Sequence, residues 1–371
     1  MQKRIALLLV IALLCGLTAC GKSDSAVESQ VSISETPAPT STPTPTPTLT
    51  PTPEPASVSE PEPEPEPTPE VFTNPLTGAP TEYDLSGYRP VVAMLNTIKQ
   101  ALPQSSNGMA DMLFEIPEEG GITRVMALYQ DITGIGNIGT IRSTRDYYLQ
   151  LAMGLDAIMI HAGCSTIATE MLENTGYDTL DFMSHGSLYW RDSYRKENVG
   201  TEHSLYTSSD NILNYLSSSG FRTTHEDGFA YPFTFTEDGT PAGGSAAADI
   251  EVSFSGYKQT RFVYNADTRA YDVFAYGDPY MDETTNTQVS VTNVIVIPTT
   301  QSTVEDGLQA FDLTSGTGYY ACGGQYIPIN WEKGDLYDCL RFTHTDGTPL
   351  DLGVGRSYIC ICDTSAPVSI Q

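Results

Sequence analysis

The sequence is poor in basic residues, and this shortage excludes several kinds of partner. Its 371 residues contain 18 lysines and arginines against 46 aspartates and glutamates, which gives a formal net charge of −28. Residues 71–371 alone carry 15 bases and 37 acids, a net charge of −22. A surface of this kind excludes nucleic acid, which needs a basic face, and disfavours adhesion to anionic lipid. An anion that binds this chain therefore requires a local basic pocket.

Long apolar runs are also missing. The run Ile5–Leu14 is shorter than the roughly 20 residues of a membrane-spanning helix. It follows two basic residues and precedes small ones, the pattern of an export signal over residues 1–19. Leu17–Cys20 resembles the lipobox of bacterial lipoproteins, and this resemblance implies lipid attachment at Cys20. We expect a protein anchored on the outer face of the cytoplasmic membrane. A plain secretory signal with an incidental cysteine is the alternative.

The chain after the signal contains no apolar pattern that would form a core. Residues 20–70 consist largely of Thr-Pro and then Glu-Pro repeats, and proline removes the backbone donors that helices and sheets need. We predict a tether between the lipidated cysteine and the folded part. The remaining residues are enough for two domains. We predict their bounds as 71–237 and 238–371, with the flexible stretch "TPAGGSAAAD" at the start of the second range as the linker.

Several catalytic and metal-binding motifs are absent from the sequence. It has no Gly-Lys-Ser/Thr of a phosphate-binding loop, no Gly-x-Ser-x-Gly hydrolase elbow and no calcium loop of the EF-hand spacing. Zinc is disfavoured because a single residue separates Cys360 from Cys362. These two, with Cys322 and Cys339, are either free core thiols or disulfides. We predict no metal and no cofactor.

Alternating elements in the first half indicate the fold class. Residues 122–176 read as strand, loop, helix, strand, loop and helix, and the strands are almost continuously apolar. Such strands favour a parallel sheet with helices on both faces. Shorter alternating strands with turn signals about every ten residues follow beyond residue 238. The sequence therefore predicts an α/β first domain with a largely parallel sheet and a smaller, mostly antiparallel β second domain.

Two of the few arginines lie where a helix is predicted to begin. Arg142 and Arg145 follow the loop "GIGNIGTI", with Ser143 or Thr144 as the predicted cap, and His161 ends the next strand. In a parallel sheet both loops lie at the carboxyl edge, where ligands bind, and helix N-termini attract anions. We predict an anion-binding crevice here. The alternatives are salt bridges between these arginines and nearby acids, and a purely structural histidine.

A second cluster combines flat rings with basic groups. Residues 189–208 contain Arg191 and Arg195 among Trp190 and three tyrosines, with His203 close behind. Aromatic rings and guanidinium groups suit sugar rings and anionic sugars. The alternative is an ordinary loop with buried rings and solvated charges.

Many short motifs appear together in one order. They include "NPLTG", "RPVVAMLN", "EEGGITRVMALYQ", "IGTIRSTRDYYLQLA", "HAGCS" and "TNVIVI". In these the chain resembles the YerB-like family of Gram-positive lipoproteins, a family with domains of unknown function. The resemblance implies an α/β and a β-rich domain and no established activity. A shared site would use Arg124, Arg142, Arg145 and His161. The chain departs from the family pattern at Leu102, where an arginine is usual.

Three kinds of function are compatible with these residues. The favoured hypothesis is binding of an anionic envelope ligand, such as a wall polymer or its phosphate-bearing precursor, by the arginines named above. A second is a hydrolase or transferase acting on envelope glycopolymers, with His161 or His203 as the base and Asp146 or Asp111 as its partner. A third is a scaffold that binds another envelope protein.

Overall fold

The computed structural model describes residues 71–371. The predicted signal peptide, the lipidation site at Cys20 and the proline-rich tether lie outside the described residues and stay predictions. Within the described part, strand accounts for 41% of the residues and helix for 17%. The bounds of the predicted domains also remain a prediction, although strands from both sides of residue 238 share one large sheet.

Strands and helices alternate in the first half of the described chain. Its strands are β1 (Phe72–Thr73), β2 (Pro80–Thr81), β3 (Val91–Asn96), β4 (Met112–Pro117), β5 (Thr123–Tyr129), β6 (Asn137–Gly139), β7 (Ile158–His161), β8 (Thr179–Asp181), β9 (Trp190–Arg191) and β10 (Leu205–Ser208). Its helices are α1 (Asp146–Gly154), α2 (Thr166–Thr175), α3 (Ser193–Asn198) and α4 (Ser209–Ser219).

Beyond α4 the described chain contains strands and a single short 3₁₀ turn. The strands are β11 (Thr234–Thr236), β12 (Ser245–Ala246), β13 (Asp249–Ser253), β14 (Gln259–Asn265), β15 (Ala270–Ala275), β16 (Asp278–Pro279), β17 (Met281–Asp282), β18 (Thr287–Gln288), β19 (Ser290–Val291), β20 (Asn293–Thr299), β21 (Gln301–Thr303), β22 (Gln309–Phe311), β23 (Ser315–Cys322), β24 (Gln325–Glu332), β25 (Arg341–His344), β26 (Asp351–Gly353), β27 (Ser357–Asp363) and β28 (Val368–Ile370).

The largest sheet is mixed, and the prediction of a largely parallel α/β first domain is wrong. Its strands run in the order β12-β24-β23-β20-β27-β4-β5-β3-β7-β8, with β25 beside β24. Parallel pairs join β20 to β27, β27 to β4, β3 to β7 and β7 to β8. The strands β4, β5 and β3, however, pair antiparallel. Their continuous apolar character reflects burial on both faces, which does not depend on strand direction.

The two faces of this sheet are covered by different structures. On one face the side chains of Val92 and Met94 pack against Tyr147 and Leu149 of α1. On the other face Val91 and Ala93 belong to a core cluster that includes residues of β13, β14 and β15. These three strands form an antiparallel sheet of their own. One face is therefore covered by helix α1, whereas the cluster on the other face combines a second sheet with Ile212 and Leu216 of α4. The fold differs in this respect from a helix-sheet-helix sandwich.

The capping residues predicted for helix α2 are confirmed, whereas those predicted for α1 are not. Ser165 caps α2, because its hydroxyl accepts a hydrogen bond from the Ala168 amide at 3.2 Å, and Gly176 ends the helix with a φ of +65°. The predicted cap of α1 by Ser143 or Thr144 is wrong. Arg145 occupies that position and makes no side-chain cap hydrogen bond.

A buried ion pair ties the two halves together. Glu115 on β4 is fully buried, and its Oε1 lies 3.0 Å from Lys258 Nζ, which precedes β14. The same carboxylate accepts hydrogen bonds from the hydroxyl groups of Thr123, Thr260 and Tyr358 at 2.6–2.7 Å. Every oxygen of this buried charge is thus paired, as a charge inside a core requires.

Candidate functional site

Strand order brings the predicted arginine region to one edge of the large sheet. Because β3 and β7 are parallel, the last residues of both strands lie at the same edge. Antiparallel β5 begins there, with Arg124 opposite Asn96. The loop that leads to α1 crosses this edge, and the backbone N–H of Arg142 donates to Met94 O at 2.9 Å. The structure thus gathers Arg124, Arg142 and Arg145 around one polar edge.

Two of these arginines are held by acids of the β4–β5 turn. Arg124 Nη1 lies 2.7 Å from Glu118 Oε1, and Arg124 also donates to Ser143 O. Arg145 forms a bidentate salt bridge with Glu119, in which Nη2 donates to Oε2 at 2.6 Å and Nε donates to Oε1 at 3.2 Å. A forked pair of this type fixes both side chains. Arg124 and Arg145 therefore anchor the loop Gly134–Arg145 to the turn.

The turn itself depends on its two glycines. Gly120 and Gly121 adopt φ values of +74° and +75° directly after Glu118 and Glu119. Only glycine takes up this left-handed region without a steric penalty. The motif "EEGG" therefore turns the chain sharply and directs both carboxylates to the arginines.

Glu118 is an unusual carboxylate. Its side chain is fully buried, and within residues 71–371 neither oxygen accepts a well-aligned hydrogen bond, although both lie near arginine nitrogens. Burial raises its pKa to about 7, against the opposing effect of the positive charges of Arg124 and Arg145. The local charge at this edge therefore changes close to neutral pH.

Arg142 differs from its two neighbours. Its guanidinium is half-buried, and its hydrogen bond within the described chain is a long one of 3.4 Å to Glu202 O. It forms no ion pair with any carboxylate of residues 71–371. Burial lowers its pKa, and the charges of Glu118 and Glu202 offset this in part. Most of its five donors remain available to a ligand.

Arg191 lies close to Arg142. Its guanidinium donates to Thr201 O, one residue before the carbonyl that Arg142 contacts. It also makes no ion pair among the described residues. Arg142 and Arg191, which we call the arginine pair, thus flank the turn Thr201–His203.

The predicted catalytic groups are embedded in the structure. His161 is fully buried, with Nδ1 donating to Gly163 O at 2.9 Å and Nε2 bonded to the Thr179 hydroxyl at 2.8 Å. Burial lowers its pKa, which favours the neutral ring. Asp146 is buried in the first turn of α1, and burial raises its pKa. Neither group has the free, solvent-facing geometry of a general base.

His203 is the histidine nearest to the arginine pair. Its Nδ1 accepts a hydrogen bond from Asn96 Nδ2 at 2.8 Å, and its Nε2 lies 3.6 Å from Glu202 Oε1. Burial lowers its pKa. A neutral ring held in this way orients the turn beside Arg142.

Arg195 is held by groups other than those that contact Arg142 and Arg191. It is buried on α3 and donates to Ala101 O at 2.9 Å, Pro103 O at 2.7 Å and Glu283 Oε1 at 3.2 Å. It therefore ties α3 to the second half of the chain. The sequence predicts one cluster that contains both Arg191 and Arg195, but the two guanidinium groups have different partners: Arg191 donates to Thr201 O, and Arg195 to the three oxygens just named.

Sequence reasoning missed the acids that decide which arginines are free. The sequence motifs assign no role to Glu118 and Glu119, although salt bridges between the arginines and nearby acids are among the predicted alternatives. The available signal was the pairing of β4 with β5, which places the residues between these strands at the same edge as Asn96. A hairpin prediction for "MLFEIPEEGGITRV" would have brought them together.

We expect Glu118→Gln to remove a pH dependence of stability. The folded pKa of about 7 lies above the unfolded value, so the native state binds the proton more tightly. The contribution of Glu118 to stability is therefore fully present below about pH 4.5 and is lost as the pH rises to about 7, by up to ~3 kcal/mol. Urea unfolding at pH 5 and pH 8 measures this slope. Glu119→Gln, which removes the adjacent half-buried acid, should keep the slope, and equal slopes in wild type and Glu118→Gln would contradict the prediction.

The described residues form neither a metal-ligand cluster nor a disulfide bond. Residues 71–371 contain no group of three or more His, Cys, Asp or Glu side chains placed to hold a metal ion. Their five cysteines are unbridged, and four of them are buried. Burial raises the pKa values of Cys322, Cys339, Cys360 and Cys362, which suits inert core thiols. No helix in this part of the chain combines the length and apolarity needed to cross a membrane.

Comparisons with known proteins place the chain in a family. Residues 76–222 match the N-terminal domain, and residues 250–359 the C-terminal domain, of a family described as protein of unknown function DUF3048. YerB of Bacillus subtilis strain 168, named as a candidate lipoprotein, is 32% identical over 266 residues, which is 70% of this chain and 77% of that protein. The crystal structure of B. subtilis YerB matches with a TM-score of 0.70 at 26% identity, over 80% of this chain and 99% of that one. The chain therefore belongs to the YerB-like DUF3048 family, as its motifs predicted.

Proposed function

We propose that this protein is a lipid-anchored envelope protein that binds an anionic ligand at the arginine pair. The anchor is Cys20, and the folded part is held on the outer face of the cytoplasmic membrane. Two observations support the anchor: the sequence Leu17–Cys20 after a short apolar run and the naming of the B. subtilis relative as a candidate lipoprotein.

The proposal of an anionic ligand is based on the missing carboxylate partner of Arg142. A guanidinium that is half-buried has lost part of its hydration, and it normally recovers this loss by pairing with a carboxylate. Acids outnumber bases by 46 to 18 in this chain, yet within residues 71–371 the Arg142 side chain makes a single hydrogen bond, of 3.4 Å, to a main-chain oxygen. An anion from outside would supply the missing partner. Phosphate and carboxylate groups match the forked geometry of the guanidinium.

The surroundings of Arg142 support an anion over a cation. Four arginines lie at this edge, at positions 124, 142, 145 and 191, and four acids, at positions 118, 119, 146 and 202. Protonation of Glu118 near neutral pH gives this edge a positive excess. Because Arg124 and Arg145 are already bonded to these acids, they fix the loop, and the arginine pair is left for the ligand. A polymer of the cell wall, or its phosphate-bearing precursor, is the proposed ligand class.

We expect Arg142→Ala to weaken binding of a glycerol phosphate oligomer. Hydrogen bonds to charged groups contribute about 1.5–3 kcal/mol, so the loss should be roughly 10- to 100-fold in Kd. Isothermal titration calorimetry with the oligomer measures it. The control is Arg261→Ala, which removes the same charge from an exposed pair with Asp249 and should leave Kd within about twofold of wild type. Equal affinity of wild type and Arg142→Ala would exclude this site.

A further inference from the structure

A cleft of about 710 Å³ lies beside α3, separate from the arginine pair. Trp190 and Tyr206 line it, whereas Arg191 does not. The reason is local: Trp190 and Arg191 are successive residues of β9, and successive side chains of a strand point to opposite faces. The volume falls within the range of small-molecule binding sites, about 300–1,000 Å³. This cleft is not used by the function proposed above.

Exposed aromatic rings surround the cleft. Trp190 is 36% exposed and Tyr194 is 71% exposed. Trp190 stacks on Tyr206 with ring centroids 6.2 Å apart and an interplanar angle of 19°. The Tyr206 hydroxyl in turn donates to Glu283 Oε2 at 2.9 Å. The stack therefore fixes Trp190 as a rigid, partly exposed apolar surface, which costs free energy unless a ligand covers it.

The polar groups of the cleft are suited to hydroxyl groups. Glu283 is held by Arg195 at 3.2 Å and by the Ser105 hydroxyl at 2.8 Å, so its carboxylate has a fixed direction. The exposed side-chain amides of Gln100 and Asn137 also line the cleft. Among the described residues these two amides make no hydrogen bond, and each offers both donors and acceptors.

The charge of the lining discriminates against anions. Asp192 and Glu283 line the cleft together with a single base, Arg195, which is already bonded to Glu283. The net charge of the lining is therefore negative, in contrast to the arginine pair. An uncharged ligand with a flat apolar face and many hydroxyl groups fits all of these features.

We propose that this cleft binds an uncharged sugar ring, with Trp190 and Tyr194 packed against the ring and with Gln100, Asn137 and Glu283 bonded to its hydroxyl groups. The protein thus carries two sites of different chemistry, one for an anion and one for a neutral glycan. The glycan site is independent of Arg142, so either proposal can fail alone.

The test is isothermal titration calorimetry of the full-length protein with four neutral trisaccharides: chitotriose, maltotriose, cellotriose and mannotriose. We expect wild type to bind at least one of them with a millimolar or tighter Kd and Tyr194→Ala to bind it roughly 10-fold more weakly. The matched control is Tyr83→Ala, because Tyr83 is also 71% exposed and does not line the cleft. Its affinity should equal that of wild type.

Tyr194→Ala is the primary variant because its exposed ring contributes little to folding, and Trp190→Ala serves as the second with its fold checked by circular dichroism. Arg142→Ala should bind the trisaccharide as wild type does. Failure of wild type to bind any of the four sugars overturns the proposal, as does equal affinity of wild type, Tyr194→Ala and Trp190→Ala.

Discussion

Lys258→Met is expected to lower the free energy of unfolding by about 3–5 kcal/mol, because it leaves a charge in the core without its partner. Glu115 is fully buried, and Lys258 Nζ lies 3.0 Å from its Oε1. Three hydroxyl groups also bond this carboxylate, but they do not neutralise it. Methionine keeps most of the volume of the lysine side chain, so the loss reports charge and not a cavity.

Urea unfolding of wild type and Lys258→Met at pH 7 measures this loss. Arg261→Met is the control, since Arg261 and its partner Asp249 are exposed, and an exposed pair contributes about 0–1 kcal/mol. The double variant Glu115→Gln/Lys258→Met should be more stable than Lys258→Met, because it removes the unpaired charge. If Lys258→Met loses no more stability than Arg261→Met, the buried pair does not have the role assigned to it.

Arg124→Met is expected to cost about 3–5 kcal/mol at pH 8, since it leaves Glu118 charged and buried. The loss should be smaller at pH 5. With Arg124 present the pKa of Glu118 is about 7, and without this positive charge it rises further. At pH 5 the acid is then protonated and neutral, whereas at pH 8 it must either ionise in the core or take up a proton at a free-energy cost.

The control for this prediction is Arg142→Met, the same substitution at the same edge. Arg142 has no carboxylate partner among residues 71–371 and its main-chain contact is 3.4 Å long, so its removal should change stability by no more than about 1 kcal/mol. Unfolding curves at both pH values separate the two cases. Equal losses for Arg124→Met and Arg142→Met at pH 8 would mean that the division into structural and ligand-binding arginines is wrong.

The positions of the core strands could be predicted because burial is visible in the sequence. The runs "VVAMLN" and "TRVMALY" are buried along their whole length as β3 and β5. Their direction could not be predicted, since a strand covered on both faces is apolar whichever way it runs. The cover on one face is the sheet of β13, β14 and β15, more than a hundred residues away in the chain, and no local pattern connects it to β3.

The predicted reason for the location of the arginine region was wrong. The sequence predicts that the strand before this loop, β5, runs parallel to β7, so that both following loops meet at one edge. In the structure β5 is antiparallel to β3, and β3 is parallel to β7. The loop reaches the carboxyl ends of β3 and β7 only through its last residues, where the Arg142 N–H donates to Met94 O. The pairing of individual arginines was not predictable, because Arg124 and Arg145 meet their acids only through the β4–β5 turn. Arg191 and Arg195 are four residues apart in the chain, yet one lies beside Arg142 and the other supports the cleft.

The central claim is that the arginine pair receives an anion. Its most direct test is the affinity of a glycerol phosphate oligomer for wild type, Arg142→Ala, Arg191→Ala and the double variant, measured at low and high salt. The account predicts that both single variants bind more weakly, that the double variant is weaker still by roughly 100-fold or more relative to wild type, and that added salt reduces these differences. Unchanged affinity in the double variant would contradict the claim.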